Sequence, residues 1–381
     1  MNKDSISILI SAGEPSGDLL ASEVVNSFGK LNPAISCFGM TGPLMVSSGV
    51  EKIADMPSVM GFGSPVKNAG AILKSIHSLV TAAVARKPKA ALLVDFPDFH
   101  MIFARMLKKA RIPVFQYISP QFWAWRKSRI HTIKKLYEKT FVVLPFEEKL
   151  YLENGAHVEY VGHPAVNRVN TAPSRLEARK RLEIVPGTTV VAMLPGSRTN
   201  EVERLMPLFI ETAIEIHKSH TEAKFLISAK NPVVFDIFSR YPKEITGYVT
   251  ASSEEGLVIM KAADAGIVCS GTATLEAAVA GLPFLGVYKT SNLNYMIGKT
   301  LLKIDKILLA NIILGRKAIN EYIQMDAIPN SLAAETLRLL KDGPYRMQML
   351  SSFAELKTIL GDCHSADKVA LSLNSFVISR G

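Results

Sequence analysis

Short apolar runs alternate with helix-period stretches along almost the whole chain. SISILIS (5–11), AISCFGM (34–40), AALLVDF (90–96), PVFQYIS (113–119) and KTFVVLPF (139–146) predict strands in the first part. LLASEVVNSFGK, FARMLKKARI and EEKLYLENG carry apolar residues at helical spacing between them. A second series, TTVVAML (188–194), AKFLISA (223–229), AGIVCS (265–270) and PFLGVY (283–288), repeats the pattern. Strands flanked by helices predict mostly parallel sheets covered on both faces. Between the series, GHPAVNRVNTAPSR (162–175) holds two prolines and no strong period, and it reads as a linker. The last stretch, from Tyr345, reads as helix without strand alternation. The expected architecture is α/β, with two facing doubly wound, Rossmann-like parallel-sheet domains over 1–165 and 166–344. Terminal helices over 345–381 are expected to pack back on the N-terminal domain.

Composition agrees with two domains: 381 residues, 48% hydrophobic against 20% charged, can fill two sizeable cores. A mean hydropathy of +0.19 predicts some exposed apolar surface. Lys and Arg total 44 against 34 Asp and Glu, a net charge of +10 that favours anionic partners: nucleic acid, phosphorylated small molecules or acidic phospholipid. Apart from a cluster at Arg126 to Lys139 the basic residues are dispersed. No finger spacing or RNA-binding aromatic pattern accompanies them, so nucleic acid is disfavoured. Three widely spaced cysteines predict a reducing compartment without a disulfide framework. The opening MNKDSISILISAGEPSGD reads as a first strand rather than a signal peptide. No run of about eighteen apolar residues exists, so any membrane contact is expected to be peripheral.

In open parallel sheets, ligands gather beyond the C-terminal strand ends, and the chemically suggestive stretches all fall there. SAGEPSGD leaves the first strand with Gly13, Ser16, Gly17 and Asp18; it is either a tight turn or an anion-holding helix start, and it lacks the dinucleotide fingerprint. VDFPDF sets Asp95 and Asp98 at a strand end, where one can orient or deprotonate a hydroxyl, or Asp98 can simply cap the next helix. Their spacing around Pro97 is wrong for a metal-binding pair, so no metal is expected. YISPQFWAWRKSRI contains Trp123 and Trp125 with Arg126; the indoles read as core on at least one side, the cations as a solvated face or an interface with phosphate-bearing lipid. Met60, Phe62 and Val66, punctuated by glycine, have no obvious core partner and suit an acyl pocket or lipid contact. LPGSRTNEVE presents Gly196, Ser197 and Arg198; Asn200 and Glu203 have capping-box spacing, whereas Arg198 is left over and suits a diphosphate. Finally, CSGTATLEAAVAGLP places Ser270, Gly271, Thr272 and Thr274 at a helix entrance. With Thr272 as cap, Glu276 falls one residue beyond capping-box register. It either answers the helix dipole or accepts hydrogen bonds from a ribose diol, beside a phosphate held by the preceding loop.

Together, SAGEPSGD, DFPDF, SPQFWAWR, YVGHP, LPGSRTNEV and SGTATLEAAVAGLP resemble, in order, the motifs of the lipid-A-disaccharide synthase family, glycosyltransferases of GT-B architecture. YKTSNLNYMIGKTLLK and the segment from Asn311 to Gln324 are similar as well. Two positions depart: LLAN (308–311) stands where Ser-Leu-Pro-Asn is expected, and His100 where Asn is common. The resemblance implies transfer from UDP-2,3-diacylglucosamine to 2,3-diacylglucosamine 1-phosphate (lipid X), inverting and metal-independent, with no cofactor. It implies Asp98 as general base. Gly196, Ser197, Arg198, Ser270, Gly271, Thr272, Thr274, Glu276 and Asn311 fall on the donor side. Ser16, Gly17, Asp18, Asp95 and Arg126 fall on the acceptor or sugar side. It further implies peripheral residence on an anionic membrane surface, the cytoplasmic face of the bacterial inner membrane, and leaves a homodimer open. Alternatives are another GT-B enzyme acting on a UDP-sugar, such as a 2-epimerase or a lipid II-type transferase, and a non-catalytic peripheral lipid-binding protein.

Overall fold

The computed structural model describes residues 6–56, 69–120, 130–290, 306–362 and 364–380. They form two compact units, residues 1–164 with 363–381, and residues 165–362. In the first, β1 (Ile6–Ala12), β2 (Ile35–Thr41), β3 (Glu51–Asp55), β4 (Ala90–Val94), β5 (Val114–Tyr117), β6 (Lys139–Val142) and β7 (Val158–Tyr160) make one sheet. Its order is β3-β2-β1-β4-β5-β6-β7, and every pairing is parallel. In the second, β8 (Val190–Leu194), β9 (Lys224–Ser228), β10 (Val249–Ser252), β11 (Ala265–Cys269), β12 (Phe284–Tyr288) and β13 (Glu321–Ile323) run β10-β9-β8-β11-β12-β13, again parallel throughout.

Both sheets bury both faces, which is why their central strands read as continuous apolar runs and not as alternation. Along β8 the side chains separate cleanly. Val190, Ala192 and Leu194 enter one core, and Val191 and Met193 the other. All nine predicted strands are present, and β3, β7, β10 and β13 are additions.

The expected third segment, 345–381, is divided between the units. Helix Pro344–Leu360 buries Met349, Phe353, Leu356 and Leu360 in the core under β8 and β11, so it belongs to the second unit. Helix Ser365–Ile378 belongs to the first. There Ser27 donates to Asp367 (2.6 Å), Tyr117 donates to Ser365 (2.9 Å), and Phe376 meets Phe115 edge-on at 4.8 Å. The predicted linker is also more structured than its composition suggests. Helix Pro164–Thr171 lies inside it, followed by helix Arg175–Arg181 with Ser174 as its cap. Apolar Ala165, Val166 and Val169 bury one side of the former and give it a reason to fold.

Candidate active site

Each sheet reverses its strand order once: between β1 and β4 in the first unit, and between β8 and β11 in the second. At such a switch point the outgoing loops diverge and leave a crevice at the C-terminal strand ends. The loops at these two points are those that carry SAGEPSGD and DFPDF, and LPGSRTNEV and SGTATLE.

In the first unit, the β1 and β4 exits interlock. A Cβ on Gly13 would lie 2.2 Å from the Phe96 ring, so only glycine admits that ring. Asp95 and Phe96 both take left-handed backbone, φ 54° and 52°. Lys87, Arg111 and Glu183 are left-handed too, but they follow helices, where such a residue is an ordinary terminator. Asp95, Phe96 and, at the exit of β5, Ile118 instead follow strands. Strain of this kind costs about 1–3 kcal/mol per residue and persists only where neighbours enforce it. His100 is one enforcer. Its Nδ1 donates to the Asp95 carbonyl (2.5 Å), which can only accept, so Nε2 must accept from the Ser11 hydroxyl at 3.0 Å. Complete burial pushes the imidazole down to about 4, so it is neutral at pH 7. Asp95 is half-buried and its carboxyl is raised by desolvation. Asp98 is exposed in the first turn of helix Pro97–Lys109.

Asp18 departs from the expected sugar-side role. It is 2% exposed, and its carboxylate accepts from the backbone N–H groups of Gly42 (3.0 Å), Leu44 (2.9 Å) and Met45 (3.0 Å). It caps helix Pro43–Ser47 from a distant part of the chain, and Gly42 is glycine because a Cβ there would sit 2.5 Å from the carboxylate. Gly17 is buried against Val94 O, while Ser16 is exposed at the start of helix Pro15–Leu31.

In the second unit, β8 leaves through Gly196 (φ 103°), where a Cβ would meet the Glu201 carboxylate at 2.5 Å. Arg198 caps helix Thr199–His217, and Glu201 accepts from its backbone N–H at 3.4 Å. The cap therefore lies two residues before the Asn200–Glu203 register predicted from spacing, because Thr199 and Asn200 are already helical. The Arg198 side chain is 74% exposed, its ion pair to Glu201 long at 3.4 Å. Asn231, beyond β9, donates to Ser197 O at 3.1 Å and steadies the loop. Next to it, β11 leaves through Ser270 and Gly271 (φ 151°) into helix Thr272–Val279; Gly271 and Thr272 are exposed. Val268 pairs with Leu194, so the two exits are side by side, and the charges of Arg198 and Glu201 reach the Cys269 thiol.

Two further residues expected on the donor side have their side chains engaged within the fold. Thr274 is fully buried and returns its hydroxyl to Gly271 O at 2.7 Å. Asn311, also fully buried, donates to Ile319 O and Glu321 (both 2.8 Å) and accepts from the N–H groups of Ala318 (2.9 Å) and Ile319 (3.0 Å). Its hydrogen-bonding capacity is spent on a turn. Glu276 is 7% exposed on its helix, and Arg168 of helix Pro164–Thr171 donates to its Oε1. Burial raises the Glu276 carboxyl, against the pull of Arg168 and Lys230. Arg168 was hidden by the linker reading; the signal that could have exposed it is the helical spacing of Ala165, Val166 and Val169 around it.

Arg126, Met60, Phe62 and Val66 lie outside the described residues. Among the described residues, no group of three or more His, Cys, Asp or Glu is placed to hold a metal ion, and no helix is long and apolar enough to cross a membrane.

Comparison with known proteins agrees with this layout. The profile of a family described as lipid-A-disaccharide synthetase matches residues 8–371. A lipid-A-disaccharide synthase of Geobacter sulfurreducens is 35% identical over 365 residues, 95% of each chain. Among solved structures, the fold is similar to UDP-GlcNAc 2-epimerase from Neisseria meningitidis (TM-score 0.66, 11% identity, 97% of this chain and 100% of that one). It is also similar to the calicheamicin glycosyltransferase CalG4 (TM-score 0.62, 14% identity, 99% of each). Two parallel-sheet α/β units of GT-B type, with sequence likeness over nearly the full length, lead to one conclusion: the chain belongs to the lipid-A-disaccharide synthase family of glycosyltransferases.

Proposed function

We propose that the chain transfers the glucosaminyl group of UDP-2,3-diacylglucosamine to the 6-hydroxyl of 2,3-diacylglucosamine 1-phosphate, releasing UDP and the β-1′,6-linked disaccharide 1-phosphate. An α-linked donor and a β-linked product call for one in-line displacement. The anomeric C–O bond to the diphosphate breaks as the bond to the acceptor oxygen forms. The acceptor proton passes to Asp98, and the negative charge passes to UDP. Positioned base catalysis is worth about 10²–10⁴-fold.

The leaving diphosphate is assigned to the second unit. The observation that carries this is the adjacency of two strand exits at the β8–β11 switch point: the exposed Arg198 guanidinium after the Gly196–Ser197 turn, and the Ser270–Gly271 turn that leads into helix Thr272–Val279. A cation and the N-terminus of a helix stabilise charge as it grows, each donor being worth about 10²–10³ in rate. Glu276, one turn further in, takes the ribose diol. Ser16, Gly17 and Asp95 are assigned to the sugar side in the first unit. Diacyl substrates place the reaction at a lipid surface, and the net charge of +10 suits the anionic cytoplasmic face of the inner membrane.

The test is a mass-spectrometric assay with both diacyl substrates and EDTA present. Equal amounts of disaccharide phosphate and UDP, formed only with both substrates, is the expected result. Epimerisation or UDP release from the donor alone would replace this reading with an epimerase, and binding without turnover with a lipid-binding protein.

A further inference from the structure

Glu276 is buried, yet a carboxylate that is to bind a ribose diol must be ionised and held in one orientation. Within the second unit, the group that does both is Arg168. Its Nη1 donates to Glu276 Oε1, and its own side chain is 30% exposed while that of Glu276 is 10% exposed. Helix Pro164–Thr171, which carries it, is pinned by Ala165, Val166 and Val169 in the same core as Leu275 and Ala277 of the Glu276 helix. The pair is thus held from two packed elements and not by two free surface chains. On its outer side, Arg168 borders a groove of about 560 Å³ lined also by Thr171, Arg181, Glu254 and Leu257, so the arginine is approachable from solvent.

We propose that Arg168 is a positioning residue of the donor site: it occupies Glu276 Oε1, keeps the carboxylate charged, and leaves Oε2 to the nucleotide. The proposal rests on the reading of Glu276 as the ribose-binding group. The charged groups facing Glu276 are Arg168, Lys230 from the exit of β9, and Glu255 from the segment before helix Gly256–Ala262. Arg168 and Lys230 favour its ionised form, while Glu255 and burial oppose it. Removing Arg168 therefore moves the carboxyl further upward, and donor binding becomes dependent on pH.

The experiment measures donor KM and kcat from pH 6 to 9 for the wild type, Arg168→Ala, Arg168→Lys and Glu276→Gln, with thermal midpoints alongside. Arg168→Ala is expected to raise donor KM several-fold at the acid end of the range, to recover towards wild type as pH rises, and to leave kcat within a few-fold. Arg168→Lys, which restores the charge, is expected to restore most of the low-pH affinity even if Arg168→Ala folds poorly. Glu276→Gln should raise KM at every pH. A Glu276→Gln donor KM equal to wild type removes the ribose reading and this proposal with it. If Glu276→Gln raises KM while Arg168→Ala follows the wild-type pH profile, the proposal fails and the ribose reading stands. A fall in stability with unchanged KM in Arg168→Ala likewise overturns the positioning role.

Discussion

Asp18 looks like a ligand in the sequence and is a cap in the fold, and the difference can be measured. Its carboxylate accepts three backbone N–H groups, from Gly42, Leu44 and Met45, in a site 2% exposed. Hydrogen bonds to a charged acceptor contribute about 1.5–3 kcal/mol each, and buried donors left without a partner cost about as much. Three such bonds do not add fully, because water can enter the space vacated by a carboxylate. Asp18→Ala is therefore expected to destabilise the first unit by about 3–5 kcal/mol. Asp18→Asn keeps one acceptor oxygen but turns an NH₂ towards a backbone donor, and about 1–3 kcal/mol is expected. Urea unfolding gives the size of the loss, and hydrogen exchange at Gly42, Leu44 and Met45 shows where it falls. Under conditions where the variants remain folded, sugar KM values should stay within a few-fold of wild type. An unchanged unfolding midpoint with a sharply raised sugar KM would refute the capping argument and restore Asp18 to the sugar side.

Other expectations follow from the same geometry. Asp98→Ala should lower kcat by about 10²–10⁴-fold while UDP binding, measured by calorimetry, persists; collapse of UDP affinity would count against its role as base. Arg198→Ala should cost about 10²–10³ in kcat, with Arg198→Lys recovering part of it, and an unaffected kcat would remove Arg198 from the leaving-group site. His100 is held near 4 in the fold against an ordinary 6.5, so the unfolded chain takes up a proton there first. The stability His100 contributes is present above pH 6.5 and drains away as pH falls towards 4, at about 1.4 kcal/mol per pH unit. His100→Asn should remove one proton from that slope. His163, also near 4, retains its own, and a slope unaltered by His100→Asn would contradict a neutral buried imidazole.

The strands legible from periodicity and those that were not separate by position. The four that escaped notice, β3, β7, β10 and β13, are the four sheet edges. An edge strand has one hydrogen-bonded neighbour and incomplete cover. Glu51–Asp55 and Val158–Tyr160 accordingly hold no fully buried residue, and the apolar run that marks an interior strand is missing. The candidate site was legible at the level of loops, since glycine at a strand exit followed by a helix is a local signal, as Gly196 and Gly271 show. It was not legible at the level of individual polar side chains. Asp18, Thr274 and Asn311 have the residue types of ligands, yet their polar atoms are taken up inside the fold: Asp18 by backbone N–H groups that tertiary folding brings near, Thr274 by the Gly271 carbonyl one turn back, and Asn311 by Ile319 and Glu321. Arg168 and Glu276 are separated by more than a hundred residues, and no spacing rule connects them.

The division of the chain into units has a consequence for how the protein is made. The second unit, 165–362, is continuous, whereas the first is interrupted by it and completed by residues 363–381. Emerging from the ribosome, the second unit can finish folding while the first still lacks helix Ser365–Ile378, with Tyr117 and Ser27 waiting for Ser365 and Asp367. Once the inserted unit has folded, it shortens the effective loop that those late contacts must close. A truncation at the C-terminus therefore leaves the continuous unit intact and strips the first sheet of a covering helix. Of the two units, the one whose synthesis starts first is the last to be secured.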